Sequence, residues 1–72
     1  MSRLSQQSKK VNWAKLQIKG GAGNLIKASA MLDLKPDDRM NLLKAIMKIE
    51  TMMVNKLEED YEAFKATELY ER

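Results

Sequence analysis

From Pro36 to Tyr70 the chain carries no glycine and no further proline. Leucine, methionine, lysine, glutamate and alanine dominate this run, and all are strong helix formers. Pro36 suits a first helical position, where its missing N–H would be unpaired anyway. Asp37 and Asp38 would then lie in the first turn, where the helix dipole favours negative charge. The pattern predicts one helix over 36–70. At 1.5 Å per residue such a helix is about 50 Å long. A compact globule of 72 residues has a radius of gyration of about 11 Å, too small to contain it. The helix must project, break, or pack against another chain.

At about 100° per residue, the apolar side chains of this run fill one continuous half of the helical wheel. The ladder Leu42, Ile46, Ile49, Met53, Leu57, Tyr61, Phe64 forms its centre and is the expected oligomer core, Leu42 to Leu57 above all. Its steps are nearer an 11-residue than a 7-residue repeat, so little left-handed supercoil is expected. A half-wheel is wider than a coiled-coil seam. It calls for at least two partners, such as the protein's own N-terminal helices and a second subunit. Glu50 falls inside the band, between Ile46, Met47, Met53 and Val54. A carboxylate there is costly to desolvate unless paired or protonated. It either sits at an imperfect edge, or pairs with Lys15 or Lys19 and fixes register, or marks a break where a partner's basic group docks. The methionines Met31, Met40, Met47, Met52 and Met53 could serve adaptable binding, but ordinary core filling is the simpler account.

The N-terminal half reads differently. Residues 1–8 look like a flexible basic and polar arm. A short helix is expected over 9–19, where Val11, Ala14 and Ile18 continue a face begun at Leu4 and Trp13 and Leu16 fall off it. A strand through Leu16–Lys19 is the minor alternative. The run GGAGN at 20–24 is expected to stop that helix and turn, because glycine is costly inside a helix and accepts positive φ. Asn24 would cap a second short helix over 24–33. Residues 9–72 thus form a single all-α domain, a helical hairpin or bundle completed by oligomerisation, with a dimer favoured.

The sequence excludes several chemistries. It contains no cysteine and no histidine, so thiolate sites, disulfides and the commonest metal ligand and general base are absent. No imidazole is present to activate Ser2, Ser5, Ser8 or Ser29 as a nucleophile. The glycine run matches no phosphate-cradling motif. The cluster Glu58, Glu59, Asp60, Glu62 lacks calcium-loop spacing and reads as a solvated helix face. No catalytic residue, cofactor or metal is therefore expected, and the chain is read as a non-enzyme. No run approaches about 18 consecutive apolar residues, so no membrane association and a cytoplasmic location are expected.

Charge is unevenly placed. Residues 1–32 carry six Lys/Arg and no acid, whereas residues 33–72 carry seven Lys/Arg and ten Asp/Glu. Lys9, Lys10, Lys15, Lys19 and Lys27 around Trp13 have the composition of a nucleic-acid-binding arm. Yet on a helix these lysines scatter instead of forming one stripe. The competing expectation is that the basic half folds antiparallel along the long helix and neutralises Glu50, Glu58, Glu59 and Asp60, with Trp13 packed between helices. The leading functional reading is a small protein-interaction module of the adaptor or inhibitor kind, docking through Trp13, Leu16, Tyr61, Phe64, Leu69 and Tyr70. A nucleic-acid binder and a structural assembly subunit are the alternatives.

Overall fold

In the computed structural model the described residues are 3–70, with side chains described as far as Glu68. Among them the chain forms two helices and no strand: α1 (Arg3–Ala30) and α2 (Pro36–Tyr70). The two pack side by side as an antiparallel hairpin. The long C-terminal helix is as the sequence predicts. The N-terminal half is not.

α1 runs without interruption through Gly20, Gly21 and Gly23, so the expected short helices over 9–19 and 24–33 are one helix. None of these glycines has positive φ. Residues 3–8 belong to the same helix rather than to a flexible arm, and Asn24 lies inside it rather than at a cap. The physical reason is length. At 1.5 Å per residue the 28 residues of α1 span about 42 Å and the 35 of α2 about 52 Å. A continuous α1 can therefore pack along most of α2, and that packing outweighs roughly 1 kcal/mol of lost propensity at each glycine.

The reversal occurs at residues 31–35 instead. Met31 N–H donates to the Ala28 carbonyl (3.0 Å) and Leu32 N–H to the Ser29 carbonyl (3.2 Å), tightening the last turn of α1. Leu34 N–H reaches back to the Leu32 carbonyl at 3.0 Å. Lys35 begins the next helix by accepting from Arg39 N–H at 2.9 Å. Pro36 then occupies the first helical position and Asp37 and Asp38 the first turn.

The seam between the helices is narrow. On α1 it follows Leu4, Ser8, Val11, Lys15, Ile18, Ala22 and Ser29, all at least half-buried and in heptad register. On α2 it follows Leu43, Ile46, Glu50, Val54, Leu57, Tyr61, Phe64 and Glu68, with one 11-residue step from 43 to 54 and heptad spacing beyond. Small and polar residues supply much of it. Ser29, 4 % exposed, satisfies its hydroxyl by donating to the Ile26 carbonyl at 2.7 Å. Among the described residues only Ala22 and Ile46 are buried apolar side chains, and no large side chain is fully enclosed.

The seam is also rotated relative to the expected core ladder. Ile46 is enclosed, and Leu42 and Leu57 are half-buried, but Ile49 and Met53 remain exposed. One helix can cover only part of a band half a wheel wide, and α1 covers its Ile46–Glu50 side. The particle is correspondingly flat and long, with a radius of gyration of 16.8 Å and extents of 56 × 18 × 7 Å.

Candidate functional site

The two sides of the hairpin differ in chemistry. One side carries two long grooves along the seam. The first, about 660 Å³, lies away from the turn, between Lys10, Trp13 and Ala14 of α1 and Leu57, Asp60 and Phe64 of α2. The second, about 550 Å³, lies nearer the turn, between Ile18, Gly21 and Leu25 of α1 and Ile46, Ile49 and Met53 of α2. Ala14 and Gly21 are seven residues apart, as are Met53 and Asp60, so each helix presents one continuous face to both grooves. Aliphatic and aromatic carbon dominates this face.

The opposite side is lined differently. One cleft there holds Ser8, Asn12, Lys15, Glu58 and Glu62. The next holds Lys19, Met47, Thr51, Val54 and Asn55. Asn12 and Lys19 on α1, and Thr51 and Glu58 on α2, repeat at seven residues on this second face.

Among the described residues two ion pairs join the helices, one at the end away from the turn and one near the middle of the hairpin. Arg3 Nη1 lies 2.9 Å from Glu68 Oε1, and Lys15 Nζ lies 2.9 Å from Glu58 Oε1. The Arg3 guanidinium also stands over the Phe64 ring, 5.7 Å from its centroid. Within α2, Lys56 pairs with Asp60 at 2.9 Å and Lys65 with Glu62 at 3.5 Å, Lys65 also lying 5.6 Å above the Tyr61 ring. The Asp60 hydrogen bond, and then the charges of Asp60 and Glu59, hold the Lys56 ammonium above the usual lysine pKa.

The basic half of the chain thus meets the acidic half at Arg3–Glu68 and Lys15–Glu58, whereas the expected pairing of Glu50 with Lys15 or Lys19 is not formed. Glu50 sits half-buried on the seam, opening onto the second groove on one side and onto the Lys19 cleft on the other. Among the described residues it has no ion-pair partner within 4.0 Å.

The residues expected at a protein-docking site separate. Trp13 does not pack between the helices; it is 65 % exposed on the rim of the first groove. Leu16 is exposed outside both grooves. Tyr61 and Phe64 do not project beyond the core, because the helical residues 3–8 reach them, and they are half-buried at the seam. Leu69 and Tyr70 lie outside the described side chains. Leu25, Ile49 and Met53 line the apolar face, Ile49 and Met53 having been expected in the oligomer core and Leu25 not among the docking residues.

The lysines expected at a nucleic-acid site do not converge. Lys9 and Lys10 border the first groove, whereas Lys19 lines the opposite side. Lys15 is paired, and Lys9 is engaged as well. Lys27 lies in the last turn of α1, where a cation is favoured by the helix dipole. Among the described residues no group of carboxylates has the spacing to hold a metal ion, and no helix is long and apolar enough to cross a membrane. No protein-family model matches the chain, and no curated protein or solved structure matches it either.

Proposed function

We propose that this protein is a non-catalytic helical interaction module, of the adaptor or inhibitor kind, which works by docking another protein chain on the grooved apolar face of the hairpin. The observation that carries this reading is the contrast between the two sides. One presents Trp13, Leu25, Ile49 and Met53 to solvent, and the other presents Met47 among Asn12, Thr51, Asn55 and the Lys15–Glu58 pair. Contiguous exposed apolar surface rimmed by polar residues is the usual mark of a protein interface. The lack of histidine and cysteine supports a binding role over a catalytic one.

Nucleic-acid binding is the weaker reading, because Arg3 and Lys15 are spent on Glu68 and Glu58. Site-specific photo-crosslinking in the expressing cell tests the choice. A photoreactive residue at Ile49 or Trp13 should capture protein, and one at Asn55 should not. Absence of any protein adduct from the apolar face, together with nucleic-acid binding that weakens steeply with salt, would overturn the proposal.

A further inference from the structure

The hairpin exposes too much surface for its mass. Its accessible area is 6019 Å² at 8.3 kDa, whereas compact monomers of that mass expose about 4,600 Å². The excess is larger than the roughly 800 Å² per partner of a standard protein interface. The grooved face, 56 by 18 Å, is itself about 1,000 Å². With Ala22 and Ile46 as the buried apolar side chains among the described residues, a two-helix unit lacks the core that chains of this size need.

Resting on the docking reading above, we infer that the occupant of this face is a second copy of the chain, stacked groove to groove with both turns at the same end, so that α1 of each copy lies across α2 of the other. Two symmetric face-to-face arrangements exist, and charge separates them. Stacking with the turns at opposite ends sets α1 on α1 and α2 on α2. That sets α1, which carries six Lys/Arg and no acid, on a second α1, with Lys9 and Lys10 the cations that border the grooved face. Stacking with the turns together sets each basic α1 on the acidic half of the other copy's α2. Lys10, on the rim of the first groove, then faces Asp60 of the second copy at the same level.

Shape points the same way. Ala14 and Gly21 make the groove side of α1 slim, while Ile49 and Met53 stand out from α2 at the level of Gly21. Within one copy a Cβ at Gly21 would meet nothing within 4 Å. The hairpin itself therefore gives no reason for glycine there. Close approach of Ile49 and Met53 of the second copy supplies one.

Sedimentation equilibrium of the full chain across dilution, combined with spin-label distances, tests this. The expected result is a dimer of about 17 kDa, twice 8.3 kDa. Labels on Asp33→Cys, one at each turn, should lie within about 30 Å, roughly two to three helix diameters. Gly21→Leu should weaken association by about 10-fold or more while raising helix propensity, and Gly20→Leu, which lines neither groove, should not weaken it. A helical monomer at millimolar concentration, or photo-crosslinks from Ile49 only to a foreign protein, would overturn the second copy and leave the docking reading standing. A dimer whose turns lie near the 56 Å length of the particle would overturn the shared-end arrangement. Failure of both Ile49 and Trp13 to capture any protein would remove both readings.

Discussion

The Lys15 ammonium lies 2.9 Å from the Glu58 carboxylate, tying the basic helix to the acidic one across the seam. The pair is partly solvated, with side-chain exposures of 29 % and 54 %, so its energy is modest. A double-mutant cycle of Lys15→Ala and Glu58→Ala should give a coupling of less than about 1 kcal/mol, shrinking further in molar salt. A coupling well above that, unaffected by salt, would mean that the pair is shielded from solvent in the working state.

Gly20→Ala and Gly23→Ala should each stabilise the fold by about 0.5–1 kcal/mol in thermal or urea unfolding. A Cβ at either position meets nothing within 4 Å, and neither glycine uses positive φ. Destabilisation by alanine would instead signal a turn at 20–24 and a broken α1.

Among the described residues Ile46 is the large apolar side chain that the hairpin encloses best, at 7 % exposure. Ile46→Ala should cost about 2–3 kcal/mol. Met31→Ala, at a site 88 % exposed, should change stability by less than about 0.5 kcal/mol. Equal effects from the two substitutions in denaturant titrations would contradict the seam described above.

Glu50 occupies a seam position between Ile46 and Val54 without an ion-pair partner among the described residues. Replacing it with leucine removes a desolvation cost and adds apolar contact. Glu50→Leu should therefore raise stability by about 1 kcal/mol, several degrees in melting temperature for a domain this small, while relaxing the specificity of packing. Severe unfolding of the variant would show that the carboxylate has a partner it needs.

Lys56 provides a pH signature. Its pKa is raised in the folded chain, so the Lys56–Asp60 contact favours folding below the unfolded lysine value and loses that effect as pH rises through the folded one, above 10.5. Asp60→Asn should bring the Lys56 ammonium back toward its ordinary value in an NMR titration. An unchanged titration would show that Asp60 is not the cause.

The second helix was legible in the sequence because every local signal agrees over 36–70: Pro36 at its start, acids in its first turn, and no breaker after it. α1 was not, because its glycines argue locally for a stop, and only the long partner helix makes continuity favourable. That single tertiary effect accounts for several misplacements. It carried the reversal from 20–24 to 31–35, made residues 3–8 helical, and covered Tyr61 and Phe64. The meeting of the basic and acidic halves was readable from charge asymmetry, but which lysine meets which glutamate depends on the heptad register of α1. The breadth of the apolar band on α2 was readable too. That Ile49 and Met53 form its uncovered side depends on where α1 settles.

The five-residue reversal at 31–35 returns the polypeptide to where it set out: Arg3, at the start of α1, touches Glu68, two residues short of the end of α2. Entry and exit points so close together allow the whole rod to be spliced into a surface loop of an unrelated scaffold, where it would stand as a stalk with its turn outermost. Cargo tethered at either extremity would crowd the Arg3–Phe64 pole and leave the Met31–Lys35 tip free.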